Sequence, residues 1–251
     1  MKKLLAFYFF IFLISAGVLF AETPEELYIK ANSDYENGDY EKAISSYEEL
    51  LDMNKVSLEV FYNLGNVYFK SKKIGKAILN YERALRMAPR DSDIQLNLRL
   101  TRAMAIDKIN TQERGFILDA ALFLYDRMNI NELTVTCSIL YFFIIMLLVF
   151  SIFFVAKRRK IFYTASVFGI ILFIFFAFLL AKVHSENFVK SGIVITENID
   201  VRSGPKEDYL LQFTLHEGTK VSIIKETQGW YEIELSRDLK GWIPKTSVAI
   251  I

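Results

Sequence analysis

Few residues of this chain have side chains that could carry catalysis. Its two histidines are His184 and His216. Neither has Cys, Asp or Glu at metal-ligand spacing, and there is no Gly-x-Ser-x-Gly, phosphate-loop or His-Glu-x-x-His pattern. Both histidines are expected at the surface, His216 just ahead of a Glu217-Gly218 turn. The single cysteine, Cys137, lies in an apolar run and acts there as a small apolar side chain. One cysteine excludes a disulfide framework and a zinc site. The expectation is a non-enzyme with no catalytic residue, metal or cofactor. A formal net charge of +1 argues against nucleic acid as a partner.

The elements that position everything else are two uncharged runs, 134–156 and 161–181, separated only by Lys157, Arg158, Arg159 and Lys160. Each is roughly 20 residues, enough at about 1.5 Å per residue to cross a hydrocarbon core of about 30 Å. No soluble partner surface in so short a chain could cover such a pair as a buried core hairpin. Lys and Arg in short loops stay cytoplasmic, so both flanking segments are expected on the opposite, exported face. Met1-Lys2-Lys3, the apolar stretch 4–20 and the small residues Ala16, Gly17 and Ala21 form a secretory signal pattern over 1–21. Leu19 makes the cleavage site imperfect, which leaves an uncleaved anchor as the alternative. Either version exports residue 22 onward.

Residues 22–110 hold an internal repeat. Gly38-Asp39-Tyr40-Glu41-Lys42-Ala43-Ile44, then Tyr47, Leu50 and Leu51, return 34 residues later as Ile74-Gly75-Lys76-Ala77-Ile78, Tyr81, Ala84 and Leu85. The second copy adds Phe61, Leu64-Gly65, Tyr68 and Pro89. This resembles the tetratricopeptide repeat, with copies at about 24–57 and 58–91. The resemblance implies close helix contacts at Gly65, Ala77 and Ala84. The first copy keeps Leu27 and Ala31 but has Lys30 and Asp34 where the family has Leu and Tyr. Asp91-Ser92-Asp93 offers capping side chains for a closing helix within 92–107.

By repeat position, the concave groove is lined by Tyr28, Asn32 and Tyr35 and by Tyr62, Asn66 and Phe69. Aromatic and amide side chains together suit peptide backbones, since an Asn can accept and donate at once. The alternative is that several of these aromatics pack between helices. Asn32 and Asn63 match the asparagines of the carboxylate clamp found in some family members. Tyr28, Asp93 and Asn97 stand where that clamp is basic, so a clamp is not supported. Charge is uneven: residues 22–57 carry 10 acidic and 3 basic side chains, and residues 58–110 carry 5 and 10. That is either a dipolar docking patch or a pair of solvated faces.

Segment 111–133 contains Asp119 and Asp126 on one helical stripe among large apolar residues. It reads as an amphipathic helix in the outer membrane interface, or as one packed on the spans. From about 190 the pattern becomes short β runs between turn signals. Asp200-Val201-Arg202-Ser203-Gly204-Pro205, Glu217-Gly218-Thr219, Gly229-Trp230-Tyr231 and Gly241-Trp242-Ile243-Pro244 resemble the bacterial SH3 domain. That resemblance implies a ligand cleft near Tyr209, Trp230 and Tyr231, with Trp242 in the core of a small barrel. Domains of this type bind cell-wall peptides or proteins.

The fold class expected is therefore a multidomain membrane protein: an all-α tetratricopeptide repeat array, a transmembrane helical hairpin and a small all-β SH3-like barrel at 190–251. The order of parts resembles the E component of the Bacteroides aerotolerance (Bat) operons. That resemblance implies a bacterial inner-membrane protein with both soluble parts in the periplasm. Its partners would be von Willebrand A-domain membrane proteins and a MoxR-type ATPase, in stress tolerance or envelope assembly. Two function classes follow: a scaffold binding protein partners, and a tether gripping peptidoglycan through the barrel.

Overall fold

The computed structural model describes residues 22–108, 115–188, 190–236 and 239–251. The signal-like segment 1–21 lies outside them.

Helices α1 (Pro24–Glu36), α2 (Tyr40–Asp52), α3 (Leu58–Lys70), α4 (Ile74–Met87) and α5 (Ser92–Met104) form a layered array. Thr23 and Glu26 make a capping box at α1, the Ser57 hydroxyl caps α3, and Asp91 accepts from the backbone N–H groups of Asp93 and Ile94. The small residues sit where helices touch. Ala77 and Ala84 are fully buried, and a Cβ on Gly65 would lie 2.7 Å from the Tyr81 ring. The two copies are also joined by charge, since Lys73 pairs with Glu41 at 2.8 Å and Lys76 with Glu48 at 3.7 Å. Part of the uneven charge is thus neutralised within the array.

Helix α6 (Phe116–Arg127) leads to the hairpin α7 (Ile130–Phe153) and α8 (Arg158–Phe188), joined by a 3-10 turn at Val155–Lys157. Both helices of the pair are long and apolar enough to cross a membrane. Leu133, Cys137, Ser151 and Ala165 are buried, and Phe143 of α7 packs on Phe168 of α8 at 4.8 Å. Asn129 and Glu132 form a capping box at α7. Lys182 of α8 donates to the Tyr125 carbonyl at 3.0 Å, and Phe178 meets the Tyr125 ring. Helix α6 therefore lies against one end of the hairpin.

The remaining strands are β1 (Ser191–Val194), β2 (Asn198–Arg202), β3 (Leu211–His216), β4 (Lys220–Thr227), β5 (Trp230–Ser236), β6 (Leu239–Pro244) and β7 (Val248–Ile250). They form one antiparallel sheet in the order β3-β2-β6-β5-β4-β1-β7, bent by register shifts in β2, β4 and β5. Its core is Val194, Val201, Leu215, Val221, Tyr231, Ile233, Ile243 and Val248. Strand parity corrects two expectations. Successive side chains face opposite ways, so burying Tyr231 and Ile243 turns Trp230 and Trp242 outward. Trp242 is half-buried rather than core. Tyr231, 8% exposed, is core rather than cleft.

The array and the sheet share a core. Ile193 is buried among the repeat side chains, with Ile195, Ala249 and Ile251 packed beside it. Gly75, the second residue of α4, donates its N–H to the Glu217 carboxylate at 2.9 Å. Helix α4 has no side-chain cap of its own, so the sheet domain supplies an anion to its positively polarised end. A Cβ on Gly75 would lie 2.6 Å from the Val194 carbonyl oxygen, and one on Gly218 (φ +89) would lie 2.8 Å from Ile78 Cδ1. Only glycine permits this approach.

Candidate binding surfaces

A polar lattice recurs from one repeat to the next and braces the concave face. Asn32 Oδ1 accepts from the Tyr47 hydroxyl and, at 3.1 Å, from Asn63 Nδ2. Asn63 also donates to the Tyr28 hydroxyl at 3.1 Å. The second copy repeats every contact 34 residues on. Asn66 Oδ1 accepts from the Tyr81 hydroxyl at 2.7 Å and from Asn97 Nδ2 at 3.1 Å, and Asn97 donates to Tyr62 at 3.1 Å. Burial pushes the Tyr47 and Tyr81 phenols up, so both stay protonated donors. The asparagines thus spend their carbonyl oxygens inside the fold. Among the described residues the Nδ2 groups of Asn32 and Asn66 have no partner, which leaves a donor at each and not the two-way amide expected.

Above the lattice lies a cleft of about 310 Å³ lined by Tyr35, Tyr62, Asn66, Phe69, Asn97 and Leu100, among others. Four of the six groove residues read from the sequence meet there. Tyr28 borders a separate depression with Pro24, Leu50, Val56 and Val60. Asn32 serves as a brace. Leu100 was missed, yet the period marks it: Leu96 and Leu100 stand 34 residues beyond Tyr62 and Asn66. Helix α5 continues the groove with apolar side chains, and both leucines are exposed.

On the sheet domain, a depression of about 260 Å³ is lined by Asn198, Ile199, Asp200, Arg202, Glu207, Trp230 and Pro244. Trp230 belongs to it as read from the sequence. Tyr209 instead lies over Gly204, where a Cβ would come within 2.7 Å of its ring.

The junction between the domains carries its own charge network. Glu82, with a side chain 8% exposed, pairs with Arg102 of the array and with Lys220 of the sheet at 3.0 Å. Burial raises its carboxyl, but the two cations outweigh this and hold it below the usual range. Asp107 accepts from the His216 N–H at 2.8 Å, the Thr219 hydroxyl at 2.7 Å and His216 Nδ1 at 2.9 Å. Partial burial acts upward, and these bonds bring its carboxyl below the usual range. His216 is therefore a junction residue rather than the surface histidine expected. The missed signal was Gly75, which stands where the first copy has Glu41, directly ahead of the repeated Lys-Ala-Ile.

The array also meets the hairpin. Arg90 pairs with Glu132, and Asn129 Nδ2 donates to the Met87 carbonyl at 3.1 Å. With α8 ending at Phe188 and β1 beginning at Ser191, the array and the sheet stand at one end of the hairpin, and residues 157–160 at the other.

Known families match the two soluble parts. Residues 28–98 match the tetratricopeptide repeat and residues 197–249 the bacterial SH3 domain. The chain is also 32% identical over 94 residues to cell division cycle protein 27 homolog A of Arabidopsis thaliana. That stretch is 37% of this chain and 13% of the relative, so the chain spans a small part of that protein. Both matched domains are of kinds that bind other molecules, and neither match points to an enzyme family.

Proposed function

We infer that this chain is a non-enzymatic, membrane-anchored scaffold of a bacterial cell envelope. Helices α7 and α8 would span the inner membrane with residues 157–160 cytoplasmic, and the repeat and SH3-like domains would face the periplasm. Residues 1–21 would act as the export signal. The observation that carries this reading is the pre-braced groove: Tyr35, Tyr62 and Phe69 border one open cleft, held by the hydrogen-bond lattice beneath it. Such a surface needs little ordering on binding, which favours affinity. Its attachment to both the SH3-like domain and the hairpin entrance would present two binding faces at a fixed height above the bilayer.

The order of parts resembles the E component of the Bat operons, which makes a von Willebrand A-domain membrane protein the partner to test, in a process of stress or oxygen tolerance. Co-purification from detergent-solubilised membranes is expected to recover such a partner with the wild-type chain and to lose it with Phe69→Ala. Equal recovery by a folded Phe69→Ala chain would sink the groove as the contact. The second reading is a peptidoglycan tether through the SH3-like domain, favoured by the match at 197–249. It predicts sedimentation of the chain with purified wall and indifference to the groove substitution.

A further inference from the structure

The depression on the SH3-like domain has a composition unlike the repeat groove. Strand β2 contributes Asn198, Ile199, Asp200 and Arg202; the connection after it contributes Glu207; Trp230 opens β5 opposite Pro244 at the end of β6. The charged side chains divide into committed and uncommitted groups. Arg202 Nη1 donates to the Tyr209 carbonyl at 3.0 Å and Nη2 to Asp200 Oδ2 at 3.4 Å. Asp200 Oδ1 accepts from the Thr214 hydroxyl at 3.2 Å. Arg202 is thereby tied to the loop it supports. Glu207 has no ion-pair or hydrogen-bond partner among the described residues, and it lines the depression together with Trp230. With two carboxylates against one guanidinium, the lining is net negative. A tryptophan and an unpaired carboxylate around one small space suit an ammonium group on an apolar stem.

We propose that this depression binds the primary ammonium of a lysine side chain in an extended protein segment, with Trp230 covering its methylene stem and Glu207 neutralising its charge. A volume of about 260 Å³ holds one long side chain and no folded element. The rest of the segment would run along the surface outside it. This rests on the scaffold reading, because it makes the SH3-like domain a second protein-binding face.

The test uses the full chain in a zwitterionic detergent and acetyl-Ala-Lys-Ala-amide as the probe. Trp230 and Trp242 are the two tryptophans, so a Trp242→Phe background reports on Trp230 fluorescence alone. The expected result is a saturable change with the lysine peptide and none with its norleucine counterpart. Glu207→Gln should weaken binding about fivefold with an unchanged melting point, as suits a partly exposed ion pair. Glu207→Asp should recover part of the loss. Equal binding of the norleucine peptide, or full affinity in Glu207→Gln, would overturn the proposal. So would a purified wall stem peptide carrying a diamino acid that binds through Glu207 while the lysine peptide does not. Loss of this interaction alone leaves co-purification through the groove intact, whereas failure of the scaffold reading shows as Phe69→Ala and wild type recovering the same proteins.

Discussion

The two binding surfaces are built on opposite plans. In the repeat groove the polar atoms are largely satisfied by one another: Asn66 and Asn97 hold Tyr62 and Tyr81 in place before any ligand arrives. What remains for a partner is aromatic and aliphatic surface with a few amide donors. In the sheet depression Arg202 holds the loop while Glu207 is left unpaired beside Trp230. The first surface selects by shape and the second by charge. The comparison teaches that a side chain of the right type near a cleft is not yet a ligand contact. Asn32 and Asn66 are fixed by what they do for the fold, and Glu207 is available because the fold makes no use of it.

The largest effect expected is on the array that holds the groove. Ala77 is fully buried between helices, so Ala77→Asp puts an unpaired carboxylate in a packed core at a cost on the order of 4 kcal/mol. Against a total stability of about 5–15 kcal/mol that is a severe loss. Because Ile193 lies in the repeat core, the sheet domain should feel it too. Circular dichroism at helical wavelengths and tryptophan fluorescence from the sheet are expected to melt together and earlier than in wild type. Separate midpoints would show that the shared core is energetically unimportant. Next in size is Asn66→Ala, which strands the buried Tyr81 hydroxyl and one Asn97 donor for about 2 kcal/mol. A melting point unchanged in Asn66→Ala would mean that the lattice does not brace the groove.

How far the sequence disclosed these surfaces depended on the distance over which they are specified. The 34-residue period carried the helix contacts of Gly65, Ala77 and Ala84 and the groove positions Tyr35, Tyr62, Asn66 and Phe69, because each repeat restates the same local geometry. Carried one helix further, it would have reached Leu100. The orientation of Trp242 and Tyr231 was misjudged because side-chain direction in a strand flips with each residue. Size favoured burying Trp242, whereas the register buries Ile243. The junction was barely legible. Gly75 and Glu217 are 142 residues apart, and no periodicity links a helix start to a turn in another domain. Only the substitution of Gly75 for Glu41 in the repeat pattern marked the place.

The junction supplies a smaller effect with a pH signature, and it tests whether the two surfaces are rigidly related. The Glu82 and Asp107 carboxyls are both held below their ordinary range in the folded chain. Their contribution is thus present above the unfolded value of about 4 and is lost as pH falls through the lower folded values. The melting point should drop on acidification below about pH 4.5, and more shallowly in Glu82→Gln. At neutral pH Glu82→Gln should cost about 1 kcal/mol, because Lys220 and Arg102 are half exposed and water takes over part of their pairing. A wild-type acid slope retained in Glu82→Gln together with Asp107→Asn would place the acid sensitivity elsewhere.

The smallest effect on stability should accompany a clear effect on binding, at Leu100. Its side chain is 52% exposed on α5 at the edge of the groove, so Leu100→Glu removes little packing and is expected to shift stability by less than about 0.5 kcal/mol. If the groove reads shape and apolar surface, the new charge must be desolvated by any partner lying there, and co-purification should fall about tenfold. The same chain should bind the lysine peptide through Glu207 and Trp230 as wild type does, since that depression draws none of its lining from α5. Leu100→Glu and Glu207→Gln would then form a crossed pair, each silencing one surface and sparing the other. If Leu100→Glu strengthened capture of a basic partner instead, the groove would be reading charge as the sheet depression does, and the contrast between the two plans would fail at the position where it is easiest to measure.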